Sequence, residues 1–139
     1  MAGLHFEFVS PESVLFSGDV DQVDLPGIEG DLGVLPGHAP MVTLLRPGIV
    51  TIMREGRREP VVVVGGFAEM SPAGLTILAD QATPRDEFDT TMLASEIKDA
   101  EEDVTDAKDD AQRDNLKRYL EQLRSLQAAL GTQRPDGAH

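Results

Sequence analysis

Three glycines at three-residue spacing, Gly27, Gly30 and Gly33, lie in the stretch Pro26 to Pro40 (PGIEGDLGVLPGHAP) and invite reading as a phosphate cradle. That chemistry needs backbone N–H groups at a strand-to-helix turn, usually with a lysine beside them. Here Glu29 and Asp31 occupy the loop, and a strand-like pattern follows it. The glycines are therefore expected to be turn formers that supply positive φ, with Pro36 and Gly37 completing the turns. His38 is the one histidine inside this motif; His5 and His139 lie far off, and no carboxylate stands beside it at metal-ligand spacing, so no metal site is expected. Six serines are present, but none sits in a Gly-x-Ser-x-Gly elbow, and a single plausible base gives weak grounds for a triad. The absence of cysteine removes a thiol nucleophile, a thiolate metal site and a disulfide framework. The acidic run Glu101-Glu102-Asp103 and the pair Asp109-Asp110 lack the glycine and ligand spacing of a calcium loop, and read as a solvated helix face and turn. These residues point to binding or structure, with no cofactor and no catalysis by the chain alone.

Charge narrows the partners. Twelve basic against 25 acidic residues give a net charge of −13, which repels phosphate backbones and anionic lipid surfaces, so nucleic acid is not an expected partner. The longest uninterrupted apolar run, Val61 to Val64, is far short of the roughly 20 residues of a spanning helix. The first nine residues lack a basic start followed by an apolar stretch, so neither a signal peptide nor a transit peptide is expected.

The elements that must position these residues divide into two parts. Of the 22 glycines and prolines, 19 lie in residues 1 to 85 and none in 86 to 130, which places a boundary near Thr83-Pro84-Arg85. The first part holds short β-rich runs between turn signals: Leu4 to Val9, Val14 to Phe16, Val20 to Leu25, Met41 to Leu45, Ile49 to Met53, Val61 to Val64 and Leu75 to Ala79. This spacing predicts an antiparallel β-sandwich. Leu4, Phe6 and Phe8 alternate with His5 and Glu7, so that strand buries one face, whereas Val61 to Val64 shows no alternation and belongs centrally.

In the second part Leu93, Ile97, Ala100, Val104, Ala107 and Ala111 follow helical spacing, and a new register starts with Leu116, Tyr119, Leu123, Leu126 and Leu130. The phase jump puts a break between Thr105 and Asp114. An antiparallel two-helix hairpin over 86 to 130 is expected, with one bent helix as the alternative and 131 to 139 as a flexible tail. Residues 86 to 110 carry a net −9 and 111 to 130 a net +2, which favours pairing of the two helices.

The stretch Val23-Asp24-Leu25 followed by PGIEGDLGVLPGHAP, with Thr43 and Pro47-Gly48 after it, closely resembles the epsilon subunits of bacterial F-type ATP synthases. Val9-Ser10-Pro11, Phe16-Ser17-Gly18, Gly65-Gly66-Phe67-Ala68-Glu69 and Leu78-Ala79-Asp80 extend the resemblance over nearly all of 1 to 85; the hairpin matches more loosely. The resemblance implies a non-catalytic rotor subunit of the central stalk, peripheral on the cytoplasmic face of the bacterial inner membrane. Its sandwich would bind the gamma subunit and the c ring, coupling c-ring rotation to gamma. Glu29, Asp31, His38, Ala39, Pro40, Met41 and Thr43 would lie at or near those contacts, and a sandwich-held loop suits that task. It also implies that the hairpin can extend toward the catalytic alpha and beta subunits and restrain ATP hydrolysis; Arg113, Lys117 and Arg124 are the residues expected to meet acidic surface there. The rival reading is a free-standing acidic β-sandwich adaptor with another partner.

One position departs from the family pattern. Members that bind ATP in the hairpin read Ile or Leu, Asp, two variable residues, Arg, Ala at the start of the first helix, and this chain reads Phe88-Asp89-Thr90-Thr91-Met92-Leu93. Asp89 is kept, but Met92 replaces the arginine and offers no hydrogen-bond donor. Nucleotide binding is therefore not expected, and Asp89 is assigned as a helix N-cap.

Overall fold

The computed structural model describes residues 3–132. Ten strands come first: β1 Leu4–Ser10, β2 Ser13–Val20, β3 Gln22–Gly27, β4 Gly30–Val34, β5 Met41–Leu44, β6 Gly48–Arg54, β7 Arg57–Val63, β8 Gly66–Ser71, β9 Gly74–Ala79 and β10 Ala82–Pro84. They form two five-stranded sheets, in the orders β2-β1-β9-β8-β5 and β10-β7-β6-β3-β4. All pairings are antiparallel except β1 with β9, which is parallel. Two helices follow, α1 Thr90–Thr105 and α2 Asp110–Thr132. The fold is thus the β-sandwich plus two helices read from the sequence.

Side-chain parity explains the layers. Leu4, Phe6 and Phe8 point inward and are almost fully buried, with the Phe6 ring 5.6 Å from those of both Phe8 and Phe16. Val20 at the end of β2 is inward, yet in β3 the inward residues are Val23 and Leu25. Even and odd positions exchange faces because the chain turns a corner at Asp21 and passes from one sheet to the other. The run Val20 to Leu25 is therefore two strands and not one. Asp21 fixes the corner: its N–H donates to the Met53 carbonyl (2.8 Å), and its carboxylate accepts from the Glu55 N–H (3.1 Å). Glu55 (φ 54°) and Gly56 (φ 77°) form the two-residue turn between β6 and β7, where positive φ at both positions matches the strand twist.

Val61, Val62 and Val63 are all buried, in a strand flanked by β10 and β6, as the lack of alternation requires. Three strands escape the apolar-run reading: β4, inside the supposed loop, β8 and β10. Two are glycine-rich or short, and apolar content alone does not mark them.

The chain divides into two compact units between Arg85 and Asp86. In the second, Asp89 in extended conformation caps α1, its Oδ1 accepting from the N–H groups of Thr91 (2.9 Å) and Met92 (3.4 Å). Leu93, Ile97 and Ala100 of α1 and Leu120, Leu123 and Leu126 of α2 are buried. The link between the helices is made without glycine or proline. Asp109 accepts from the Gln112 N–H and the Gln112 side chain accepts from the Lys108 N–H, both at 2.8 Å, a reciprocal cap that starts a new helix. Two helices, not one bent helix, result.

Candidate partner interface

The β3–β4 hairpin pairs Gly27 with Gly30, so Ile28 and Glu29 form its exposed tip. Gly27 is required by space and not by a positive φ: a Cβ there would meet the Gly30 carbonyl at 2.7 Å. Gly33 likewise has no positive φ and lies within β4; among the glycines of this stretch only Gly30 (146°) and Gly37 (81°) take positive φ, which corrects the turn assignment for Gly27 and Gly33. Asp31 is exposed, but its Oδ1 lies 2.5 Å from Nη2 of Arg46. His38 is half-buried and its Nδ1 donates to the Ala39 carbonyl at 2.8 Å. Ala39, Pro40 and Met41 are exposed. Thr43 is not: its side chain turns into the sandwich, is 8% exposed, and donates to the Leu44 carbonyl at 3.1 Å. The alternation of β5 makes Val42 and Leu44 the outward residues instead.

Those two residues open a surface that the candidate residues missed. On the outer face of the first sheet, the register aligns Leu44, Phe67, Leu78, Val9 and Val14 in one row across all five strands. Leu44 and Val14 are more than 60% exposed, and Leu78 and Phe67 about 40%. Val42, 65% exposed, starts the next row, which continues through Glu69, Thr76, Glu7 and Ser17. An apolar row of this length on an exposed sheet face is a candidate docking surface. The signal was legible as paired apolar residues in strands that bury one face: Leu44 beside Leu45, Phe67 beside Ala68, Leu78 beside Ala79.

Beyond that row the same face turns polar. His5 Nε2 lies 2.8 Å from Glu7 Oε2, and His5 Nδ1 lies 3.3 Å from Asp19 Oδ1; Ser17 also donates to Glu7 at 2.8 Å. The hydrogen bonds to Asp19 and then Glu7 raise the His5 pKa above its ordinary value. In the hairpin, Arg113 is held by Asp110 (3.0 Å) and by the Ala107 carbonyl (3.4 Å), and Arg124 reaches Glu101 of the other helix at 2.5 Å. Lys117 is exposed and makes no ion pair among the described residues. Two of the three cations expected to face outward are thus engaged within the hairpin. Burial, with the Glu96 carboxylate nearby, raises the Tyr119 pKa. Met92 is 66% exposed. Among the described residues no three acidic, histidine or cysteine side chains gather as a metal site, and no helix is long and apolar enough to cross a membrane.

Residues 3–85 match the family described as ATP synthase, Delta/Epsilon chain, beta-sandwich domain. The chain is 49% identical over 125 residues to the ATP synthase epsilon chain of Maricaulis maris, covering 90% of this chain and 94% of that one. This chain belongs to the ATP synthase epsilon family. The epsilon chain of a Bradyrhizobium species is 50% identical over 135 residues, covering 95% and 97% of the two chains. Among solved structures, a chain of the Euglena gracilis mitochondrial ATP synthase, determined with OSCP, F1 and the c-ring, superposes with a TM-score of 0.75 at 29% identity, over 94% of this chain and 82% of that one. A chain from the central stalk and c-ring of the Tetrahymena thermophila mitochondrial enzyme shares the fold, with a TM-score of 0.52 at 14% identity over 63% and 72% of the chains.

Proposed function

We propose that this epsilon chain is a non-catalytic rotor subunit: its sandwich docks on gamma through the row Leu44, Phe67, Leu78, Val9 and Val14, and presents the β3–β4 tip with Glu29, Asp31 and the His38 to Met41 segment to the c ring. Torque from the c ring then passes through a rigid two-sheet body to gamma. The observation that carries the reading is the apolar row, because its exposure is unfavourable unless another protein covers it. The location that follows is peripheral, on the cytoplasmic face of the bacterial inner membrane, with membrane association only through the complex. The hairpin restrains ATP hydrolysis when α2 meets the alpha and beta subunits. With Arg113 and Arg124 already paired, that restraint is weak and sensitive to salt. Nucleotide has no part in it, since Met92 supplies no donor.

The test is rebinding of the full chain to membranes whose ATP synthase has been stripped of this subunit. Leu44→Asp with Phe67→Asp should abolish rebinding and the coupling of hydrolysis to proton pumping, with the melting temperature of the free chain little changed. Wild-type rebinding by the double variant would remove the docking face. Affinity capture that brings neither gamma nor the c ring would favour the free-standing adaptor.

A further inference from the structure

Arg46, in the segment that follows β5, makes three bonds to the end of the β3–β4 hairpin. Its N–H donates to the Pro26 carbonyl at 3.0 Å, Nη1 donates to the Gly27 carbonyl at 2.6 Å, and Nη2 donates to Asp31 at 2.5 Å. The side chain is 28% exposed and the Asp31 side chain 80%. The guanidinium is therefore held from the backbone side, and Asp31 folds over it from the solvent side. The neighbouring backbone closes the same corner: the Ile28 N–H donates to the Leu44 carbonyl at 2.8 Å, and Gly27 bridges Leu45. These bonds join the tip, which belongs to one sheet, to the end of β5, which belongs to the other. The planar fork of Arg46 presents its donors in fixed directions, one nitrogen to the carbonyl and the other to the carboxylate.

We propose that Arg46 is the positioning residue of the β3–β4 tip, and that by occupying Asp31 it leaves Glu29 as the carboxylate offered to a cationic side chain of the partner. Glu29 is exposed and makes no ion pair among the described residues. The Asp31 charge is already met by a cation, whereas the Glu29 charge is not, so a lysine or arginine arriving at the tip gains more at Glu29. Asp31 then acts through Arg46, on the shape of the tip. This rests on the reading that the tip meets a partner in the complex, but the tie itself is a property of the free chain.

Two measurements separate these levels. In the free full chain, amide hydrogen exchange of Ile28 to Asp31 should be about tenfold faster in Arg46→Ala, several-fold faster in Asp31→Asn, and intermediate in Arg46→Lys, with β1 and β6 unchanged. Exchange at the tip as slow as in the wild type in both Arg46→Ala and Asp31→Asn would overturn the tie, whatever rebinding shows. With stripped ATP synthase membranes as the probe, Arg46→Ala and Asp31→Asn should each weaken rebinding, and the double variant no more than Arg46→Ala. Glu29→Gln should weaken it and flatten its salt dependence while leaving tip exchange alone. A further loss in the double variant would show that Asp31 touches the partner directly and would overturn the assignment to Glu29, as would a Glu29→Gln variant that rebinds like the wild type. Failure of the wild type to rebind removes the partner reading and with it the Glu29 assignment, and leaves the exchange result to decide the tie.

Discussion

The sandwich and the hairpin are built on different balances. The sandwich encloses Phe6, Phe8, Val23, Val34, Val50, Val63, Ala68 and Ile77 with no exposure at all, and its strands pair partners far apart in sequence. The hairpin buries three residues on each helix and surrounds them with charge. A closed two-layer core tolerates ten short strands of weak individual preference, because each is held by neighbours on either side or by the facing layer. A narrow stripe gives each helix a small apolar contact beside its caps. The first unit therefore holds a closed core, and the second a single buried stripe.

The largest expected effect follows. Residues 1–85 should melt cooperatively on their own, and residues 86–139 alone should lose most of their helicity by circular dichroism. A molten 1–85 fragment would break the comparison. Within the full chain, Phe6→Ala should cost about 3–5 kcal/mol by denaturant unfolding, since it opens a cavity at a fully buried position.

The fold was legible in the sequence where parity and punctuation agreed. Leu4, Phe6 and Phe8 announced a one-sided strand, the run from Val61 a strand without alternation, which ends at Val63 and leaves Val64 half-buried outside it, and the absence of glycine and proline from 86 to 130 the change to helices. It was illegible where a residue acts through geometry at long range. Asp21 looks like one more polar alternate, yet it turns the corner between sheets by bonding to Met53 and Glu55, more than thirty residues away. Gly27 and Gly33 share the spacing of turn glycines, but one answers to the close approach of a carbonyl and the other lies within a strand. For the interface, Glu29, His38, Ala39, Pro40 and Met41 fall on accessible surface, whereas Thr43 does not, because strand parity decides and a motif does not. The partner of Asp31 was hidden too, since Arg46 lies fifteen residues on.

Smaller changes sharpen the contrast. Asp89→Ala should destabilise the hairpin by about 1 kcal/mol through the loss of two capping bonds, with no change in the sandwich. Separate probes for the two units are needed: helicity at 222 nm for one, amide exchange in β1 and β9 for the other. Equal loss in both would mean that the units melt as one. Arg124→Gln should cost less, roughly 0.2–1 kcal/mol for a half-exposed pair, and the cost should shrink at high salt. Hydrolysis by the assembled complex should be read on the same variants. With Arg113, Lys117 and Arg124 all changed to Glu, a rise in activity at low salt is expected if α2 acts on the catalytic subunits, and no rise would confine these cations to holding the hairpin together.

The smallest expected effect lies back on the sandwich, at His5. Its ring nitrogens face two carboxylates, Asp19 on β2 and Glu7 on β1, and those hydrogen bonds favour the imidazolium, so its pKa in the folded chain lies above the unfolded value near 6.5. A cation held this way stabilises the fold fully below the unfolded pKa, and the contribution disappears as pH rises through the folded one. The chain should therefore be slightly more stable at mildly acid pH than at pH 8 on account of this group. His5→Gln isolates this contribution: the difference in unfolding free energy between wild type and variant should be greater at low pH and fade as pH rises. Because the ring is exposed, the effect should also fade with salt. An NMR titration of the His5 ring at or below the ordinary histidine value would show that the two carboxylates do not hold it.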